Sequence, residues 1–352
     1  MSVLIAERPG VQTGKDDTSL PFPYLLFLGD VTEPGFAKTA FGLRDWAPDK
    51  CVGEFSIPGA SVSTGLAPMR PSEAVGKGAR GLLIGVANPG GIIPDTWMPA
   101  LLEALEAGLD IVSGMHARLA TFPALRDAAA RLGRRLIDVR TPPAGIRVAS
   151  GAPRSGKRIL TVGTDCALGK KYTALAVAAG LQRRGVAADF RATGQTGIMI
   201  AGSGIPIDAV ISDFLAGAAE MLSPATDPDH IDVVEGQGSL FHPSYAAVSL
   251  GLLHGSQPDG FIVCHDPSRT TILGHPAYPL PSIEAVILQT AALGRITNPA
   301  IRCYGISLNT SSLSADEAER VLGDSSQRHA LPAADPMRPG DRFERLLDAC
   351  MA

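Results

Sequence analysis

The chain lacks the features that mark several large classes of protein. Its five cysteines, Cys51, Cys166, Cys264, Cys303 and Cys350, are scattered, odd in number and never spaced as CxxC. That pattern excludes a disulfide framework and a zinc knuckle and reads as reduced cytosolic thiols. No apolar stretch approaches the roughly 20 residues of a membrane helix. No run of lysines or arginines offers nucleic acid or an anionic membrane a local patch, and a net charge of −4 supplies no global attraction. The amino terminus, Met1 to Glu7, turns polar too early for a signal peptide. A cytoplasmic protein with neither nucleic-acid nor membrane partners is therefore expected. No fixed-period repeat occurs. Nor does GxGxxG occur where a strand meets a helix, which withdraws support from a dinucleotide coenzyme.

What is present points to a turn-rich α/β protein of two domains: 352 residues, 45% apolar, with 39 glycines and 28 prolines. Proline, glycine and small polar residues replace periodic apolar sequence over 141–156, dividing a domain at 1–145 from one at 150–352. Before that linker, apolar runs at 24–28, 81–86, 110–113 and 136–139 alternate with helical patterns at 95–107 and 122–133. After it, strands are read at 158–162, 186–190, 231–234, 260–264 and 301–306, with helices at 169–184, 207–222, 281–293 and 314–322. The alternation predicts two Rossmann-like domains, the second a P-loop NTPase-like parallel sheet flanked by helices. The apolar helix at 281–293 could pack in a homo-oligomeric interface or against its own sheet.

The segment richest in chemistry is Gly163-Thr164-Asp165-Cys166-Ala167-Leu168-Gly169-Lys170-Lys171-Tyr172, which joins an apolar run to an alanine-rich helix. Strand, glycine turn, lysine and helix N-terminus turn backbone N–H groups and the helix dipole toward one point, a cofactor-binding site suited to pyrophosphate. Two departures from GxxxxGK[ST] matter. Five residues separate the glycines, and Lys171 stands where the Mg²⁺-ligating hydroxyl would be. A second cation there can neutralise phosphate without a metal, so no metal is expected and holding a phosphorylated cofactor is favoured over splitting ATP. Cys166 is either a thiol activated by the helix N-terminus or a compact loop filler.

Ligands of open sheets bind at the carboxyl ends of strands. Arg191, Gln195 and Thr196 follow the second strand of the C-terminal half, as substrate contacts or as a turn. The third ends in Glu235-Gly236-Gln237-Gly238-Ser239, where Glu235 takes a Walker B position and could bind a metal, accept a proton or cap the loop; without a Mg²⁺-binding threonine the proton acceptor is favoured, with Gln237 beside substrate. The fourth ends in His265-Asp266-Pro267-Ser268-Arg269, an acid/base pair, His265 and Asp266, followed by Arg269 to clamp a carboxylate. His242, before a proline, is either a substrate contact or part of an ordered loop. In the N-terminal half, small-residue loops at 59–65 and 85–91 read as tight turns or as backbone closing over a small substrate.

Gly-Thr-Asp followed by three residues and Gly-Lys at 163–170 is similar to the phosphate loop of dethiobiotin synthetase, where threonine follows the lysine. Taken with Arg-Ala-Thr-Gly-Gln-Thr-Gly at 191–197, Glu-Gly-Gln-Gly-Ser-Leu at 235–240, His242-Pro243, His-Asp-Pro-Ser-Arg at 265–269, Lys38-Thr39-Ala40 and Asn-Pro-Gly-Gly at 88–91, it resembles the DgcN-type family over nearly the whole chain. That family N-acetylates D-glutamate and related D-amino acids. The resemblance implies acetyl-CoA as cosubstrate with Lys170 and Lys171 on its phosphates, and Glu235 or His265 removing the amine proton. It also implies backbone N–H groups of 194–197 or 236–239 around the oxyanion, and Arg191 or Arg269 on substrate carboxylates. The residues themselves leave two other readings open: an ATP- and Mg²⁺-dependent ligase or kinase of dethiobiotin-synthetase type, and a nucleotide-sensing switch without catalysis.

Overall fold

The computed structural model describes residues 19–352; the amino-terminal segment on which the signal-peptide reading rests lies outside the described residues. The chain forms two compact units, the first running to Thr141 and also taking Gln195–Ser203, the second comprising Pro142–Gly194 and Gly204–Ala352. Among the described residues no helix is long and apolar enough to cross a membrane.

The first unit runs β1 (Tyr24–Gly29), α1 (Lys38–Trp46), β2 (Cys51–Ser56), α2 (Pro71–Gly76), β3 (Gly81–Ile84), α3 (Met98–Glu106), β4 (Asp110–Ser113), α4 (Pro123–Leu132) and β5 (Leu136–Asp138). Its strands pair in parallel in the order β2-β1-β3-β4-β5. β1 is buried along its whole length, as a central parallel strand covered on both faces must be, which is why it reads as an unbroken apolar run. At its carboxyl end Trp97 donates from Nε1 to Asp30 Oδ1 (2.8 Å) and packs edge-on against Phe27. Gly29 sits so close beneath that indole that a Cβ would come within 2.5 Å of it, at a φ of +60°. β2 escapes the sequence reading because it carries a buried acid: Glu54 accepts from Ser63 Oγ and from the Thr64 amide and hydroxyl.

The second unit begins with β6 (Lys157–Gly163), α5 (Lys170–Arg183) and β7 (Ala188–Arg191); the chain then makes α6 (Gln195–Ala201), α7 (Leu215–Leu222), β8 (Ile231–Val234), α8 (Ala246–Ser256) and β9 (Gly260–His265). The hairpin β10 (Thr271–Ile272) and β11 (His275–Pro279) follows, then α9 (Ile283–Gly294), β12 (Arg302–Leu308), α10 (Ala315–His329), β13 (Ala333–Ala334) and α11 (Asp341–Met351). The large sheet is wholly parallel, ordered β13-β12-β9-β6-β8-β7. Leu160, Val234, Phe261 and Val263 from its strands pack against Leu215, Leu252, Leu253 and Val286 from the helices. Because the chain goes from β6 out to β7, returns through β8 and then crosses to β9 on the other side of β6, the switch point lies at the carboxyl ends of β6, β8 and β9. Helix α6 is the exception to chain order. It packs in the first unit, where Thr196 Oγ1 meets Thr39 Oγ1 at 2.9 Å and Lys50 Nζ donates to the Ile200 carbonyl.

Candidate active site

The 163–170 loop is built from its own backbone and one arginine. Asp165 is fully buried; its Oδ1 accepts from the Cys166 amide (2.6 Å), and its Oδ2 accepts from the Leu273 amide (2.8 Å) and Arg269 Nη1 (3.2 Å). The same guanidinium donates to the carbonyls of Cys166 and Ala167 at 2.8 and 2.9 Å. With those carbonyls taken up by Arg269, the amides of Ala167, Leu168, Gly169 and Lys170 make no hydrogen bond among the described residues, an anion-binding nest at the start of α5. Lys170 is buried and donates from Nζ to the Asp165 carbonyl (2.6 Å), and desolvation holds its pKa below the usual lysine value. An anion in the nest would relieve that penalty. Lys171 is half-buried, its ammonium 5.0 Å from the Tyr172 ring centroid.

At the end of β8, Glu235 is buried, and its Oε2 accepts from the amides of Thr193 (2.9 Å) and Gly194 (3.0 Å). Burial raises its carboxyl pKa, opposed in turn by the Thr193 amide, Lys171, the Gly194 amide and Lys170. Gly236 donates its N–H to Thr161 Oγ1 and lies so tightly against the Thr161 carbonyl that any side chain would collide. Gln237 reaches Thr193 Oγ1 at 3.1 Å. His242 is 2% exposed, takes the Ser244 N–H on Nδ1 (3.0 Å) and points Nε2 toward Asp165 Oδ1 at 3.9 Å.

Residues 147–347 match the P-loop domain of the DUF1611 family (DUF1611_C), and residues 59–142 match its Rossmann-like domain (DUF1611_N), both described as domains of unknown function. The chain belongs to the DUF1611 family. A crystal structure of a DUF1611 protein from Anabaena variabilis is 32% identical and superposes with a TM-score of 0.83, covering 93% of this chain and 99% of that one. Two curated relatives carry the name D-glutamate N-acetyltransferase. The protein from Tritonibacter scottomollicae is 49% identical over 94% of this chain and 98% of its own length. The protein from a Pseudoalteromonas species is 46% identical over 90% and 96%.

In this DUF1611 chain the loop residues, Glu235, Gln237, His242, His265 and Arg269 all belong to the second unit and gather at the carboxyl ends of β6, β8 and β9. Several do other work than their residue types suggest. Arg269 braces the loop and is not left open as a carboxylate clamp. Arg191 is turned back along the sheet: its Nε donates to Asp232 Oδ1 (2.8 Å) and Nη2 lies 3.3 Å from Asp189 Oδ2, because Asp189 precedes it by two on β7 and pairs with Asp232 on β8. His265 and Asp266 do not form the expected pair. His265 Nδ1 meets Thr164 Oγ1 at 3.0 Å, whereas Asp266 Oδ1 accepts from the amide and hydroxyl of Ser268. Burial lowers the His265 pKa. Gln195 and Thr196 stand in α6 within the first unit, with Gln195 Oε1 buried and without a hydrogen-bond partner among the described residues. Sequence reasoning passed over Thr161, Thr193 and the Leu273 amide. A threonine inside an apolar strand, as Thr161 is, signals a buried hydroxyl with a task; nothing local announces a backbone N–H.

Proposed function

We propose that this chain transfers the acetyl group of acetyl-CoA to the amine of D-glutamate or a related D-amino acid. The observation that carries the reading is the match of nearly the whole chain, at 49% and 46% identity, to two proteins named D-glutamate N-acetyltransferase. The site suits an acyl-CoA. The amides of Ala167 to Lys170 offer a pyrophosphate its hydrogen bonds, and Lys170 with Lys171 neutralises its charge. Acetyl transfer further requires that the substrate ammonium lose a proton, that the tetrahedral oxyanion be held and that the leaving thiolate be protonated. Glu235 takes the ammonium proton: Oε2 is committed to two amides, which orients the carboxylate and leaves Oε1 as the acceptor, and burial favours its protonated form. The amides of Gln237 and Gly238, which make no hydrogen bond among the described residues, are assigned to the oxyanion.

The test is direct. Purified protein is incubated with acetyl-CoA and a panel of D- and L-amino acids, with and without EDTA, and thiol release is followed. Release with D-glutamate that persists in EDTA is the expected outcome. Silence across the panel, with turnover appearing only on ATP and Mg²⁺, would replace acetyl transfer by ligation.

A further inference from the structure

We propose that His242 is a neutral hydrogen-bond donor locked in one tautomer, its Nε2–H serving a phosphoryl oxygen bound in the 163–170 loop. The acyl-CoA reading supplies only the identity of the molecule that carries the phosphate.

The other ring nitrogen fixes the tautomer. The backbone N–H of Ser244 donates to Nδ1 at 3.0 Å, so Nδ1 must present its lone pair. A neutral imidazole has a single ring proton, which therefore sits on Nε2. Two alternative roles fall with that assignment. A base at Nε2 needs a lone pair there, and none is available. A metal-ligating histidine donates its second ring N–H to an acceptor, whereas this one accepts. The side chains of Asp165, Cys166 and His242 approach within 4.8 Å of one another, close enough for a cation, yet His242 has no electron pair to give it. Asp165 is likewise committed, through both oxygens, to Cys166, Leu273 and Arg269.

The ring is also held in place. Tyr245 stacks on it at 4.6 Å between centroids and His275 meets it edge-on at 5.1 Å. Protonating Nδ1 would set two N–H groups against each other. Burial, His275 and Lys170 all disfavour the charged form, and only Asp165 favours it, so the charged and titratable groups facing the ring leave it neutral on balance. What remains is a fixed N–H in a residue 2% exposed, 3.9 Å from an Asp165 oxygen that already accepts from Cys166. It lies beside a loop whose amides are unspent. A phosphoryl oxygen in that loop supplies the acceptor that His242 lacks. A donor that carries no charge adds specificity for oxygen without adding a cation to the lysines already there.

Two measurements on the full-length protein test this. Nitrogen NMR of ¹⁵N-histidine-labelled protein at neutral pH should show His242 as the neutral Nε2–H tautomer, a reading independent of any turnover. Calorimetric titration with CoA should show His242→Asn, whose amide reaches only the Nδ1 position, weakening binding roughly 10- to 100-fold. His242→Gln, which places an N–H near Nε2, should recover most of that loss. S-acetylpantetheine, which has no pyrophosphate, should bind wild type and both variants alike. An Nδ1–H tautomer, a Gln variant as damaged as Asn, or an equal loss with S-acetylpantetheine would each overturn the assignment. Failure of wild-type protein to acetylate D-glutamate while still binding CoA with this variant pattern would sink the acetyltransferase reading and leave His242 standing.

Discussion

At the residue scale the sharpest consequence falls on Glu235, the buried carboxylate assigned as base. Its pKa in the folded protein is raised by burial above the ordinary carboxylate value, so the fold favours its protonated form. The sign follows from linkage. The stabilising contribution of the protonated carboxyl is fully present below the unfolded pKa and is lost as pH rises through the folded one. Glu235→Gln keeps an oxygen for the Thr193 and Gly194 amides without the charge. Denaturant melts should therefore show the variant gaining on wild type as pH rises from about 4.3, the unfolded carboxylate value, toward neutrality. Acetyl transfer should meanwhile fall at least 100-fold, about the lower bound for losing a general base. In wild type, the acidic limb of kcat/KM should lie above the usual carboxylate range, because the base works only when ionised. A variant with near-normal turnover would remove Glu235 from that role and leave it as the clamp on the Thr193–Gly194 turn.

Elements decide what those residues can reach. The phosphate loop, the turn after β9 and the β10–β11 hairpin are joined through Arg269, Asp165 and the Leu273 amide, so the loop's shape depends on groups more than 100 positions away in sequence. Arg269→Lys keeps the charge but cannot span two carbonyls and a carboxylate. Chemical denaturation should show a loss of about 1–3 kcal/mol, and calorimetry a weaker affinity for CoA. A rise in KM for D-glutamate alone, with CoA affinity and stability intact, would restore Arg269 as a substrate clamp. The same logic explains what could be read from sequence. β1, β3, β4, β6, β8, β9 and β12 were legible because parallel strands buried on both faces are apolar runs bounded by glycine and polar turns. The phosphate loop was legible because its glycines and lysine have a backbone task. Side-chain direction was not: His265 and Asp266 are neighbours in sequence and diverge in space, and Arg191 lies with Asp189 because strands alternate. Helix α8 was missed for a related reason. Its Gly251 and Gly255 carry no apolar side chain to mark a buried face, yet a Cβ at either would strike Leu215 or the Ala216 carbonyl of α7, so each is a helix contact point.

For the whole molecule, the decisive fact is that the composition change marks only part of the division between the units. The proline- and glycine-rich stretch from Thr141 onward invites a cut, and the two compact units do part there, but Gln195–Ser203 is counted with the first. Ile198, Met199 and Ile200 of α6 are buried, and Thr196 and Ile200 bond to Thr39 and Lys50. A fragment 142–352 would carry that apolar helix away from Thr39 and Lys50, and a fragment 1–141 would lack it. Exposed apolar surface of this kind drives association. Expressed alone, each fragment should therefore aggregate or pass through size exclusion as a heterogeneous species; expressed together they should co-purify, with α6 completing the first unit in trans. Substituting Ile198 and Ile200 by serine in 142–352 should improve its solubility and abolish the co-purification. A wild-type 142–352 fragment that is monodisperse and melts cooperatively on its own would show instead that α6 needs nothing from the first unit, and that the composition break is the true boundary.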